Sequence, residues 1–254
     1  MLKNIKSSVI IQKIFNKLNF KNKLRLFRHN KRFQKKYNIS LNDYKTNNGR
    51  YIIYESKIKG KEYNSENKLI FIGEYLNGER KKGKEYFHHE VKFEGEYVNG
   101  KREGFGKEYW GNGKLYYEGN YFNGKKHGFG KEYHFNGSLY YEGEFSNNYI
   151  KNGREYDYFT GKLKYEGEFL KGIRNGKGKE FYDNGKLKYD GEYLDGKKNG
   201  KGKEYNFYNG KYLFVGEFNN GERWDGYGKE YNLDGKLVFE GVYENGKKII
   251  VDDV

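Results

Sequence analysis

The chain has no cysteine and no proline, and alanine is missing as well. Without cysteine there can be no disulfide framework, no Cys-ligated zinc and no thiol nucleophile. Missing Pro and Ala, beside abundant Lys, Asn, Ile, Tyr and Phe, point to an AT-rich genome. Long apolar runs are also scarce. Val9-Ile10-Ile11 is too short for a signal-peptide core, and no segment approaches the roughly 20 apolar residues that span a bilayer. Mean hydropathy is −1.16, a value typical of chains that cannot bury enough apolar surface to fold.

The aromatic content argues the other way. Tyr 28, Phe 19 and Trp 2 make up 19% of the residues, and each ring can bury roughly 150–250 Å². With 36 Gly, the expectation is a thin core of rings packed over glycines in place of a Leu/Ile/Val interior. Charge is also unevenly spread. The net +15 divides into +12 on residues 1–45, where Asp43 is the single acid, and +3 on the rest. The larger part is thus nearly neutral, which disfavours a phosphate-rich ligand such as nucleic acid there.

Periodicity dominates that larger part. The order aromatic-x-Gly-x-aromatic recurs at Phe93-Glu94-Gly95-Glu96-Tyr97, and then around Tyr117, Gly119, Tyr121 and Tyr141, Gly143, Phe145. It continues at Tyr165, Gly167, Phe169; Tyr189, Gly191, Tyr193; Phe214, Gly216, Phe218; and Phe239 to Tyr243, with a first copy at Phe71 to Tyr75. Successive glycines are 22 to 25 residues apart. A second motif, Gly-Lys-Glu-Tyr, interleaves with it, as at Gly106 to Tyr109 and Gly130 to Tyr133. Alternation at period two puts both rings and the glycine on one face of a strand, and the flanking glutamates on the other. The glycine, lacking Cβ, leaves a slot for a ring from a neighbouring strand. Two-residue turns are expected at Asn112-Gly113, Asn136-Gly137, Asn184-Gly185 and Asn209-Gly210, and again at Asn99-Gly100, Asn123-Gly124 and Asp195-Gly196. The pairs Gly104/Gly106, Gly128/Gly130 and Gly200/Gly202 fit bulged or wider connections. The fold class expected is mainly β: an elongated antiparallel β-meander of about eight hairpin repeats in residues 46–254, preceded by a short all-α segment in residues 1–45.

Over residues 60–246 the order Y-E-G-E-Y-x-x-G-K-x-x-G-x-G-x-x-Y closely resembles the MORN (membrane occupation and recognition nexus) repeat. The resemblance implies a non-catalytic scaffold that contacts proteins, sometimes dimerises, and in some members meets phosphoinositide-rich membranes. The Asn-Gly-Lys-Leu turns also resemble a variant repeat of bacterial antitoxin-like proteins.

Residues 1–45 lack the repeat. Ile10, Ile14, Phe15 and Leu18 recur at helical spacing, followed by Leu24, Phe27 and Phe33. One reading is a helical cap over the first sheet edge. A second is an F-box-like module: Ile10 to Leu18 and Leu24 to Phe33 resemble its spacing, without the leading Leu-Pro and with Phe33 where Trp is commoner. The resemblance implies a Skp-type adaptor as partner. A third is a basic amphipathic helix on an anionic membrane surface, drawn by about 1 kcal/mol per cation.

Catalytic chemistry finds no footing in the residues. His88-His89-Glu90 is the one histidine cluster, and neighbours on a strand point to opposite faces, so a solvated loop or strand end is expected. The glutamates fill the same slot in every repeat, whereas an acid/base pair should be a singular constellation. The glycine loops lack the P-loop order, and Trp224-Asp225-Gly226 stands in for ordinary loop residues. The least regular stretches are Asn147 to Ile150, Lys171-Gly172-Ile173 and Glu222-Arg223-Trp224. Ile249-Ile250-Val251 is expected as a last edge strand, with Lys247, Lys248, Asp252 and Asp253 as charged guards, or as a dimer seam. The functional expectation is therefore a cofactor-free, metal-free interaction scaffold. Its partner would be a protein, its F-box version would be the substrate receptor of a ubiquitin ligase, and its rival would be a phosphoinositide membrane tether. A homodimer stays open, and the expected location is cytoplasmic or membrane-peripheral.

Overall fold

A computed structural model describes residues 50–232 and 235–249. The expected helical segment, with Ile10, Ile14, Phe15, Leu18, Leu24, Phe27 and Phe33, lies outside the described residues, as do Ile250 and Val251. The chain divides into two compact units, one ending at Glu103 and one beginning at Gly104.

In the first unit, β1 (Arg50–Tyr54), β2 (Lys59–Asn64), β3 (Leu69–Leu76), β4 (Glu79–Phe87) and β5 (Glu90–Val98) each pair antiparallel with the next. β1 is a strand that the repeat pattern did not announce. β6 (Lys101–Tyr109) runs across the boundary.

The second unit continues with β7 (Leu115–Phe122), β8 (Lys125–Tyr133), β9 (Leu139–Ser146), β10 (Tyr149–Tyr156), β11 (Leu163–Leu170) and β12 (Ile173–Phe181). It ends with β13 (Leu187–Leu194), β14 (Lys197–Tyr205), β15 (Tyr212–Asn219), β16 (Glu222–Tyr231), β17 (Leu237–Glu244) and β18 (Lys247–Ile249). Here too each strand pairs antiparallel with its successor, so both units are meanders. No helix occurs among the described residues.

Register is set by glycine. Across the second unit Gly106, Gly119, Gly130, Gly143, Gly153, Gly167, Gly178, Gly191, Gly202, Gly216 and Gly226 stand opposite one another in turn. Two residues before the glycine of each odd-numbered strand is a ring that lies flat across this row. A Cβ on Gly119 or on Gly130 would come within 2.4 Å of the same Tyr117 hydroxyl. The ring therefore covers its own strand's glycine as well as the neighbour's, which sharpens the expected slot. The second ring of each motif stands edge-on to the first, with Tyr117 and Tyr121 centroids 5.4 Å apart, and reaches the previous hairpin, as in Tyr117–Phe145 at 5.2 Å. Repetition of that contact produces a continuous herringbone of buried rings, a geometry worth about 0.5–1.5 kcal/mol per pair beyond area burial.

The two kinds of hairpin end differ. Asn99-Gly100, Asn123-Gly124 and Asp195-Gly196 are two-residue turns with both φ positive, as expected. Asn112-Gly113, Asn136-Gly137, Asn184-Gly185 and Asn209-Gly210 are not. They lie in five- or six-residue loops in which only the glycine has positive φ. There the asparagine Oδ1 instead accepts the backbone N–H two residues on, at 3.0 Å for Asn112 and Lys114, which is the local bond that makes Asn a loop former. Gly104, Gly128 and Gly200 fall inside β6, β8 and β14 at positive φ. In β8 and β14 the pairing register shifts around them, the bulged arrangement. Trp224 is likewise in a strand, at the register shift between Arg223 and Asp225, and packs beside Gly246.

Candidate functional site

The repeat-core residues Phe93, Tyr97, Tyr117, Tyr121, Tyr141, Phe145, Tyr165, Phe169, Tyr189, Tyr193, Phe214 and Phe218 are all buried. The glycines between them carry the register described above. These residues build the scaffold and leave three surfaces to carry chemistry: the margin of the ring face, the opposite face, and the loop edge.

On the ring face the unanticipated feature is a ladder of ions. In Gly-Lys-Glu-Tyr the glycine faces the rings, so alternation turns the Lys outward and the Glu inward. Two residues after the glycine of each two-residue turn that contains one comes an inward cation; Asn147-Asn148 is followed instead by Ile150 and His88-His89 by Val91. In the first unit Arg80 Nε donates to Glu62 at 2.8 Å and its Nη1 to Glu85 at 3.1 Å, while Arg102 Nη2 reaches Glu85 at 2.8 Å. In the second unit Lys126 binds Glu132 at 2.6 Å and lies 3.9 Å from Glu108. Arg174 pairs with Glu155 at 2.9 Å, Lys198 with Glu204 at 2.5 Å, and Arg223 with Glu204 at 2.8 Å. Each guanidinium also sits over a core ring: Arg102 is 4.0 Å from the centre of Phe93, and Arg174 is 4.3 Å from that of Tyr165. Burial pushes the Glu204 carboxyl up, but Lys198 and Arg223 outweigh it and hold its pKa below the usual value. Burial likewise raises the phenols of Tyr97 and Tyr193, with the ladder carboxylates Glu85 and Glu180 adding to it.

The opposite face is ruled by cross-strand pairs. Lys131 lies 3.5 Å from Glu142, and Lys229 lies 2.7 Å from Glu240. Tyr133 donates to Glu118 at 2.8 Å and Tyr156 to Glu142 at 2.7 Å. Two regions of this face depart from that pattern: Val215, Tyr227 and Val242 stand opposite one another on β15 to β17, and three rings gather on β6 to β8. Phe105, Phe122 and Phe129 are between 55% and 61% exposed. Phe105 stands opposite Asn120, and the Asn120 amide donates to the Phe129 carbonyl at 3.5 Å. Phe122 is two residues along the same strand, with the His127 ring 5.7 Å from it. Three exposed rings thus gather around Asn120 on β6 to β8.

The loop edge is stapled from one hairpin to the next. The Asn112 amide donates to the Phe135 carbonyl at 3.1 Å, and Lys114 Nζ to the Asn136 carbonyl at 2.8 Å. Asn184 does the same toward Phe207 at 3.2 Å, and Lys186 toward Tyr208. The Asn-Gly-Lys order is thereby accounted for: Asn closes its own loop and, with Lys, grips the next. Between the staples Phe135, Phe159 and Tyr208 project into solvent.

The remaining sequence candidates are dispersed. His88-His89 forms the two-residue turn between β4 and β5, with both φ positive. His134 is in the β8–β9 loop, with its ring against Tyr140 and Tyr158. Among the described residues no cluster of three or more His, Asp or Glu has metal-binding geometry. Lys248 is a ladder cation bound to Glu230 at 2.6 Å. The ladder itself had a readable signal. Glu stands two positions after a core glycine, and a cation stands two after a turn glycine, both even offsets that place the side chain inward.

The MORN repeat family model matches residues 93–114, 117–139, 141–150, 165–186 and 189–206, the third match ending at Ile150. No curated protein matches the chain. Among solved structures it is similar to TarM at 14% identity, over 55% of this chain and 31% of that one, with a TM-score of 0.29. A mutant of S. aureus TarM in complex with Fondaparinux, alpha-GlcNAc-glycerol and UDP is similar at 14% identity, over 58% and 33%, also with a TM-score of 0.29. The chain thus spans about a third of those proteins, and a likeness that slight carries no argument. The repeated sequence, the glycine-registered meander and the family matches agree: this chain carries MORN repeats, five of them recognised between residues 93 and 206.

Proposed function

We propose that the chain is a non-catalytic scaffold that binds a protein through the outer face of its repeats. The observation that carries this reading is the trio Phe105, Phe122 and Phe129, three solvent-exposed rings gathered on a face that also carries Lys–Glu pairs. Rings presented by a rigid sheet lose little conformational freedom on docking, and large side chains buried at an interface centre supply most binding energy. MORN repeats commonly serve as protein- or membrane-binding scaffolds, which supports the same reading. The test is affinity capture with the full chain and with a Phe105→Ser/Phe122→Ser/Phe129→Ser variant. A partner held by the first and released by the second is the expected result; equal retention by both overturns the assignment to this face.

A finer version makes residues 1–45 an F-box that engages a Skp-type adaptor while the repeats hold a target. It rests on the sequence spacing from Ile10 to Phe33. Purified adaptor should bind the full chain and lose a Phe15→Asp variant; no binding by the intact chain sinks the ubiquitin-ligase version. The membrane reading is favoured by the +12 charge of residues 1–45. It requires salt-sensitive flotation with phosphoinositide vesicles, since attraction between surface charges falls off beyond about 10 Å at 0.1 M salt.

A further inference from the structure

One hairpin departs from the pattern in three respects at once. Seven of the eight inward turn-side positions are cations: Arg80, Arg102, Lys126, Arg174, Lys198, Arg223 and Lys248. The eighth, on β10, is Ile150, which stands opposite Phe145 as Arg174 stands opposite Phe169. Lys126 spans Glu108 and Glu132; no cation from β10 takes the corresponding place between Glu132 and Glu155. The turn of the same hairpin is Asn147-Asn148, with φ of 52° and 74°. Elsewhere in this unit the second turn position is glycine, as at Gly124, Gly172, Gly196, Gly221 and Gly246, whereas here Asn148 holds it and its Oδ1 accepts from the Lys126 N–H at 2.8 Å. Finally, turns in this unit are linked by backbone bonds: Asn148 donates to the Lys126 carbonyl, Gly196 to Arg174, Gly221 to Lys198 and Gly246 to Trp224. Among the described residues no such backbone bond ties Gly172 back to β10.

We propose that hairpin β9–β10 is the built-in opening point of the unit that begins at Gly104. In a meander each hairpin is stabilised by its own contacts and by its two neighbours, so a deficit at one hairpin lowers the local opening free energy without unfolding the rest. β10 lacks the ionic bridge toward β8 and the turn bond toward β12. Opening there uncovers Tyr141 and Phe145, two core rings buried to within 1%, and frees the pairing edges of the strands on either side. The molecule thereby holds a latent apolar and strand-pairing surface distinct from the exposed Phe105–Phe122–Phe129 face.

Hydrogen–deuterium exchange on the full chain tests this. Amides of residues 141–156 should exchange about tenfold faster than the equivalent amides of β7–β8 and β13–β14, the order expected from one missing hydrogen bond or ion pair. An Ile150→Arg variant, which restores the cation, should bring β9–β10 toward the protection of its neighbours. Uniform protection of all hairpins in the unaltered chain overturns the proposal. So does a folded Ile150→Arg chain in which the difference persists. Should that variant misfold, the unaltered chain's profile decides alone.

Discussion

Tyr165 lies across Gly178 so closely that a Cβ on the glycine would come 2.1 Å from the tyrosine hydroxyl and 2.4 Å from its ring. That contact joins β11 to β12, and its equivalents at Gly130, Gly153, Gly202 and Gly226 join four further hairpins of the second unit. Gly178→Ala should therefore force the ring off its site and lower stability by about 1–3 kcal/mol, the range for overpacking a well-filled core. Gly111, with nothing within 4 Å of its Cβ and no positive φ, should accept alanine with little change. Chemical denaturation of the two variants checks the contrast; equal loss would put the effect in the backbone rather than the ring.

Arg174 bridges Glu155 and Glu180 and caps the Tyr165 ring. Removing the charge with Arg174→Met leaves two part-buried carboxylates facing each other. The expected loss is about 2 kcal/mol, below the 3–5 kcal/mol of a fully buried pair because these side chains keep some solvent. Adding Glu155→Gln should recover part of that loss, measured as a double-mutant cycle.

The same ladder sets the acid response. Glu204 has a lowered pKa in the folded chain, so its contribution is full above the unfolded value of about 4.3 and is lost as pH falls through the folded one. Denaturation midpoints followed from pH 6 downward should drop on entering that window. Glu204→Gln should flatten the drop while lowering stability at neutral pH.

At alkaline pH the sign reverses. Burial and the Glu118 carboxylate push Tyr133 up to about 12, and burial and Glu142 do the same for Tyr156. The stability these phenols contribute is complete below about pH 10 and is lost as pH rises toward 12. Phenolate absorbance should show a late-ionising class coincident with unfolding. Glu118→Gln and Glu142→Gln should shift part of that class to lower pH.

The loop staples predict a smaller effect. Asn184→Ala removes the bond to the Phe207 carbonyl and the one from the Lys186 N–H. The expected cost is about 1 kcal/mol, that of an exposed hydrogen-bond pair, and it should fall on exchange protection of the β12–β13 loop and its neighbour.

Much of this architecture could be read directly. The ring-Gly-ring order, its even alternation and its spacing of 22 to 25 residues give strand, buried face, hairpin length and family at once, because a period of two admits a single way to place two rings and a glycine together. Other features needed three dimensions. Asn112-Gly113 and Asn123-Gly124 are the same dipeptide, yet one closes a five-residue loop and the other a two-residue turn; the difference comes from the register that the glycine row imposes on flanking strands. The ladder of Glu62, Arg80, Glu85 and Arg102 was visible in part as repeated residue types, but nothing in the residue order shows that Arg80 meets both Glu62, 18 residues away on β2, and Glu85, five residues along its own strand. The outward placement of Phe105, Phe122 and Phe129 follows from alternation, since each adjoins an inward ring or glycine, but their gathering around Asn120 is a tertiary outcome. The sequence alone determined the repeat and its two faces, through local alternation. Which residues of those faces meet was decided by cross-strand register, a property of the folded sheet.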